Sequence, residues 1–251
     1  MRTVTPTSKT SSAGVRRLRP ADVLPRCEIL INASAYNLSE IAQGKRVADI
    51  GCGSGRLRSM VEQVGGTWIG VEAFDGGEKS VMGSAEYLPF ADASFDVVVM
   101  NAVLEHVPNV SRSFTEVSRV LRPGGCFVGY VAFMECFHEI SYSHLSFKAL
   151  EHFATENGMV LEIVSGGKRF GIDYHLANLW HPLPFWRQLG KISHLIRLFM
   201  RLKASLGYFA LRIGRRLPRQ QARETARSYF LYQCLSQSVG FSYVIRKLEC
   251  P

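Results

Sequence analysis

The sequence predicts an α/β fold, a mostly parallel seven-stranded sheet with helices on both faces, with a basic helical insertion ahead of the last strand. Three observations predict it. Short apolar runs alternate with segments of helical periodicity from Lys45 to about Ser165. A glycine-rich turn, Gly51-Cys52-Gly53-Ser54-Gly55, joins the first of those runs to the next helical segment. And the last two apolar runs are separated by a stretch, Tyr174 to Arg223, that carries ten positive charges and not one Asp or Glu.

At 251 residues the chain has room for one α/β domain with additions, and little for two full cores. A hydrophobic fraction of 47% and a charged fraction of 20% are those of an ordinary globular protein. Arg, Lys or Gly breaks every apolar stretch before spanning length, so no transmembrane segment is expected. Six scattered cysteines without a C-x-x-C pair, and no apolar leader, point to a reduced, cytoplasmic setting and to no metal site. The net charge of +9 is concentrated in the insertion, so its location carries more information than its total.

Taken in order, residues 1–20 are Ser-, Thr- and Arg-rich and read as a disordered basic tail, an organellar presequence being the weaker reading. Val23, Leu24, Cys27, Leu30 and Ile31 recur at helical spacing, predicting a leading helix within 21–43 that stops at Gly44. Arg46–Ile50, Trp68–Glu72, Val81–Gly83, Phe95–Met100 and Cys126–Phe133 read as strands; Leu57–Val64, Ala102–Val107 and Ser113–Leu121 read as helices. A helix at Ser146–Asn157 and strands at Val160–Ser165 and Gly240–Leu248 complete the sheet. Right-handed crossovers would bring the strand C-terminal ends to one edge, where ligands bind. The chain thus divides into a tail (1–20), a core (21–173), an amphipathic basic insertion (174–236) and a final core strand (237–251).

In the run Val47-Ala48-Asp49-Ile50-Gly51-Cys52-Gly53-Ser54-Gly55 a buried strand turns through three glycines into a helix. Glycines allow positive φ and close approach of backbone to a ligand. The G-x-G-x-G spacing differs from the dinucleotide G-x-G-x-x-G, so the neighbours decide. Glu72 closes the following strand, where an acid can grip both hydroxyls of a ribose. Then come Gly83-Ser84-Ala85-Glu86-Tyr87-Leu88-Pro89-Phe90, Ser94-Phe95-Asp96-Val97-Val98-Val99, Val103-Leu104-Glu105-His106-Val107 and Arg119-Val120-Leu121-Arg122-Pro123-Gly124-Gly125.

In this order and spacing these resemble the motifs of the class I S-adenosylmethionine-dependent methyltransferases, in particular the small-molecule and glycan group, over about residues 45 to 165. The resemblance implies a Rossmann-like fold and S-adenosylmethionine as cofactor. By position, it places Gly51 and Gly53 against the methionine part, with Cys52 and Gly55 completing the loop. Asp49 would orient the loop and the cofactor amino group, and Glu72, with Ala73 beside it, would bind the ribose. Ala85 and Glu86 would flank the adenine, Asn101 and Ala102 would meet the methionine moiety, and His106 would support the pocket. Ser84 stands where the family usually has Asp, so adenine N6 would be held otherwise, through Glu86 or a main-chain carbonyl. Only ten residues separate Glu72 from Gly83, which predicts a short loop over Asp75–Ser80 in place of a crossover helix. Members acting on polysaccharides and lipid-linked glycans share that shortening and a His soon after the strand equivalent to Cys126–Phe133, as His138 stands here.

Methyl transfer from a sulfonium needs alignment and desolvation above all, with a general base when the acceptor is a hydroxyl or a protonated amine. His138 is the first candidate, in a polar segment with Glu135, Glu139 and Tyr142; His144 is the reserve, or else a cap for the helix near Ser146; His106 is the third. Asp92 and Asp96 read as turn and strand-start residues, and Cys52 as a small loop residue with no base placed for it. No N-P-P-Y or D-P-P-Y tetrapeptide follows Phe95–Met100, where Asn101-Ala102-Val103-Leu104 stands, which disfavours methylation of an exocyclic amine.

The insertion interleaves Leu195, Leu198, Phe199, Leu202, Leu206, Phe209 and Ile213 with arginines, the pattern of amphipathic helices with a cationic face. A lid over the acceptor, lined by Trp180, Phe185 and Trp186, is the plainest reading. Peripheral docking on an anionic membrane surface, towards a lipid-linked acceptor, is compatible with it. Nucleic acid ranks last, since no aromatic platform interleaves with the charges. The sequence therefore predicts O-methylation of a small-molecule or lipid- or glycan-linked acceptor. N- or C-methylation of a natural product, RNA methylation and a catalytically inactive cofactor-binding scaffold are the alternatives. It sets no oligomeric state.

Overall fold

The computed structural model describes residues 19–135, 139–167, 174–175 and 192–249. The elements are α1 (Pro20–Val23), β1 (Glu28–Leu30), α2 (Leu38–Ile41), β2 (Arg46–Ile50), α3 (Arg58–Gln63), β3 (Thr67–Glu72), β4 (Val81–Met82), β5 (Phe95–Asn101), a 3₁₀ turn (Leu104–His106), α4 (Val110–Val120), β6 (Leu121–Ala132), α5 (Phe147–Glu156), β7 (Met159–Ser165), α6 (Ile192–Ile213), α7 (Arg219–Ser236) and β8 (Gly240–Lys247). The strands form one sheet in the order β1-β7-β8-β6-β5-β2-β3-β4. Every pairing is parallel except those of β8, which runs antiparallel between β6 and β7.

The central strands are Val-rich and buried on both sides, as a parallel sheet sandwiched by helices demands. One core, with Ile50, Val98, Met100, Phe114, Phe127 and Tyr243, lies on one face; the other, with Val47, Trp68, Val97, Val99 and Val128, lies on the opposite face. Helix ends follow local chemistry. The Asn109 side chain caps α4 by accepting from the Arg112 amide, and Ser146 caps α5 by accepting from the Ala149 amide.

Three expectations are corrected. The leading helix does not form: Pro25 lacks an amide proton and forces Leu24 into extended backbone (ψ 143°), so α1 ends at Val23. Glu28–Leu30 instead pairs parallel with β7, giving the sheet an eighth, edge strand. The helix expected over Ala102–Val107 is a single 3₁₀ turn, since Ala102 adopts a positive φ of 57° and closes the strand abruptly. And His144 does not cap α5, because Ser146 already does.

α6 and α7 lie between β7 and β8, and α6 rests on α7 around Met200, Ile196, Phe230 and Cys234. No helix among the described residues is long and apolar enough to cross a membrane. Because β8 is antiparallel, α7 delivers the chain to the same edge at which β2, β3, β5 and β6 end, with Gly240 opposite Ala132.

Candidate active site

The glycine loop is built at that edge. The amides of Gly51 and Cys52 both donate to the Val71 carbonyl, at 2.8 and 3.2 Å, and so bind the turn to β3. Gly51, Gly53 and Gly55 all have positive φ (69°, 52° and 66°). A Cβ on Gly51 would stand 2.6 Å from Cγ2 of Val103, so the chain after β5 packs directly on the loop. A Cβ on Gly53 would meet nothing within 4 Å. Space is therefore open beside the middle glycine and closed beside the first.

Glu72 bridges the loop to its own strand end. Its Oε2 accepts from the Gly53 amide and its Oε1 from the Ala73 amide, each at 2.9 Å. Each carboxylate oxygen keeps a further lone pair for an external donor. Behind the loop, the buried Asp49 accepts from the Trp68 indole Nε1 at 3.1 Å. Burial pushes the Asp49 carboxyl up to about 6; the Trp68 hydrogen bond opposes this and the charge of Glu72 adds to it.

The short segment after Glu72 crosses the glycine loop. The Glu78 amide donates to the Gly53 carbonyl at 3.2 Å, and a Cβ on Gly77 would fall 2.1 Å from that same oxygen. Lys79 Nζ holds the turn by donating to the Phe74 carbonyl at 3.1 Å. Cys52 is buried with its Sγ 3.5 Å from the Glu78 carbonyl, and burial raises its thiol to about 11, the wrong direction for a nucleophile.

In the turn after β4, Ser84 Oγ accepts from the Glu86 amide (3.2 Å) and Ala85 is buried. The Glu86 carboxylate accepts from the Asn109 amide at 3.1 Å, which ties this turn to the start of α4. Arg112 stacks over the Tyr87 ring. At the end of β5, Asn101 and Ala102 are exposed, and the Ala102 amide donates to the Tyr130 carbonyl.

The next wall is made by the 3₁₀ turn and the segment beyond β6. His106 donates from Nδ1 to the Ile140 carbonyl. Glu105 is fully buried, and its carbonyl accepts from the Tyr142 amide at 2.8 Å. His144 Nε2 lies 2.9 Å from Ser141 Oγ, and the Tyr142 side chain is exposed. His138, Trp180, Phe185 and Trp186 lie outside the described residues.

Sequence reading missed two participants. Trp68, the partner of Asp49, reads as an ordinary strand residue. Tyr130 interrupts the apolar run Cys126–Phe133, a signal that was available. Its hydroxyl is held above the ordinary phenol range by burial, by the negative charge of Glu135 and Glu105, and by a hydrogen bond to Glu135. Asp92 and Asp96 pair with Arg119 and Arg122 and serve the frame.

A parallel sheet with this order, a glycine turn after its central strand and an acid at the tip of the neighbouring strand define a nucleoside-binding domain of Rossmann-like type. Residues 48–129 match the family model described as a methyltransferase domain. An uncharacterized methyltransferase of Mycobacterium sp. (strain JLS) is 31% identical over 152 residues, covering 55% of this chain and 60% of that protein. A ubiquinone biosynthesis O-methyltransferase of Agrobacterium fabrum is 33% identical over 132 residues, covering 46% of this chain and 48% of that one. The crystal structure titled a putative sarcosine dimethylglycine methyltransferase from Galdieria sulphuraria shares the fold, with a TM-score of 0.50 at 15% identity over 84% of this chain and 82% of that one. Residues 48–129 are thus similar to a methyltransferase domain on a Rossmann-like fold, and the chain spans about 60% of the length of the mycobacterial relative.

The residues present fit S-adenosylmethionine, the cofactor of such methyltransferases. Gly53 leaves open space at the strand edge, Glu72 retains acceptor capacity beside it, and Asn101 is exposed at the end of β5.

Proposed function

We propose that this chain transfers a methyl group from S-adenosylmethionine to an oxygen of a small-molecule or lipid- or glycan-linked acceptor. The observation that carries the reading is the Glu72–Gly53 hydrogen bond, which sets a ribose-binding acid against an open glycine loop. Asp49 and Trp68 brace the loop from behind, and Val103 and Gly77 confine it on either side. When bound, the cofactor supplies a methyl on cationic sulfur, which leaves as a neutral thioether.

The chain's own residues then have two tasks. Glu72, Asn101 and the loop orient the cofactor, with Ser84, Ala85 and Glu86 at the adenine end. On the acceptor side a hydroxyl must lose its proton as it attacks, and His138 is our candidate base, with His144 and His106 as the reserve candidates. Tyr142 and the 174–236 insertion, with Trp180, Phe185 and Trp186, would complete the acceptor wall. Two points support oxygen as the target. The exocyclic-amine tetrapeptide is absent after β5, and one relative is named an O-methyltransferase. The cationic insertion supports a peripheral position at an anionic membrane surface, from which a lipid-linked acceptor is reached.

The test is to incubate the chain with methyl-labelled S-adenosylmethionine and cell extracts, and to search aqueous and lipid fractions by mass spectrometry. A labelled methyl ether, stable to base, is expected for a hydroxyl acceptor, and a base-labile methyl ester for a carboxylate. Label found only on nitrogen or carbon, or in no fraction while the cofactor binds, would overturn O-methylation.

A further inference from the structure

α6 uses one face to pack on α7 and leaves a second apolar face uncovered. Met200 is buried against α7. On another side, Leu195, Phe199, Leu202, Leu206, Phe209 and Ile213 recur at alternating spacings of four and three residues. Each is more than half exposed, from 53% at Leu202 to 77% at Ile213. The stripe runs about 27 Å along the helix at 1.5 Å per residue. An amphipathic helix with its buried face already satisfied should present polar residues here, so this face lacks its partner.

The surrounding charge says what the partner is. The groove between α6 and α7 is lined by Arg201, Arg219, Arg223 and Arg227 together with Tyr208 and Phe209, so it adjoins the stripe at Phe209. No recorded ion pair among the described residues engages any of these arginines. Lys203 is exposed beside the stripe, and the first acid in this part of the chain is Glu224. A second copy of the chain docking on the stripe would bring like charges together. A bilayer with anionic headgroups offers hydrocarbon to the stripe and phosphate to the arginines at once.

We propose that α6 lies in the plane of an anionic membrane, with the Leu195–Ile213 stripe in the acyl boundary and phosphate headgroups in the arginine groove. This deepens, and rests on, the membrane-proximal reading above. α7 runs into β8, whose first residue faces the end of β6, so the docked pair is continuous with the acceptor side of the edge.

Flotation of the full chain with phosphatidylcholine vesicles, and with equal mixtures of phosphatidylcholine and phosphatidylglycerol, tests this. Wild type is expected to float with the mixed vesicles and not with the neutral ones. Leu202→Asp with Phe209→Asp, and separately Arg219→Glu with Arg223→Glu and Arg227→Glu, should each weaken binding by at least about tenfold. All five positions are exposed, and melting temperatures check that the variants fold; the milder Leu206→Gln with Ile213→Gln substitutes for the first if it does not. Three results overturn the proposal: no flotation of wild type with the mixed vesicles at low salt, undiminished flotation of the stripe variants, or a solution dimer that the stripe variants disperse. Binding is read without cofactor or acceptor, so its failure leaves the methyl-transfer reading standing, and failure of methyl transfer leaves this result readable.

Discussion

Glu72 Oε2 accepts a hydrogen bond from the Gly53 amide at 2.9 Å, so the acid that ends β3 and the turn that follows β2 hold one geometry. A loop of three glycines has large conformational freedom to lose on ordering, and a charge-assisted hydrogen bond to its middle residue offsets part of that loss before any ligand arrives. In the function proposed above, the same carboxylate would serve an incoming diol without reorganising.

The close packing of Val103 on Gly51 makes a coupled pair. Gly51→Ala introduces a Cβ at 2.6 Å from Val103 Cγ2 on a residue with φ of 69°. We expect a loss of about 3 kcal/mol, combining the clash with a left-handed backbone penalty of about 1–2 kcal/mol. Adding Val103→Ala should return about 1 kcal/mol or more, leaving only the backbone penalty and the small cavity. Urea denaturation of the four proteins of the cycle measures it, and strict additivity would contradict direct contact.

Asp49 makes stability depend on pH with a defined sign. Its folded carboxyl is raised to about 6 from an ordinary value of 3.8, so the native state holds the proton more tightly than the unfolded chain. Stability contributed by this group therefore falls as pH rises from about 4 to 6, and the full cost, about 3 kcal/mol, stands above that window. Asp49→Asn keeps an acceptor for Trp68 and removes the titration. Its stability advantage over wild type should grow from near zero at about pH 4 to about 3 kcal/mol at neutral pH. Parallel stability curves for the two proteins would disprove the assignment.

The three histidines are separable by what they change. His138→Gln should lower turnover by about 10²–10⁴-fold and leave cofactor affinity intact. His106→Gln loses the hydrogen bond to Ile140 and should move cofactor affinity and stability together, with a smaller effect on turnover. Turnover profiles in the acceptor found by the labelling screen decide between them, and the larger loss at His106 or His144 would transfer the base to that residue.

Much of the sheet was legible because its signal is local. Arg46–Ile50 is legible with its observed bounds, and Gly240–Leu248 within one residue, since buried strands are short apolar runs closed by glycine or charge. The leading segment misled because Val23, Leu24 and Cys27 sit at helical spacing, while Pro25 between them vetoes the helix and frees Glu28–Leu30 for pairing with β7. The eighth strand was unreadable for the same reason, being three residues long and made by a partner 135 positions away, as Glu28 opposite Ile163 shows. In the site, residue identities were legible and their partners were not. That Trp68 holds Asp49, that Val103 covers Gly51, and that Ile140 holds His106 are relationships between elements that only the sheet order brings together.

The most direct measurement of the central claim is calorimetric titration of S-adenosylmethionine into the full chain, beside Glu72→Gln. We predict one site in the wild type, and affinity about a hundredfold weaker in Glu72→Gln, the loss of a charge-assisted bidentate contact worth about 2–3 kcal/mol. Absence of binding to the wild type, or equal binding by both proteins, would contradict a cofactor site built on the Glu72–Gly53 pair.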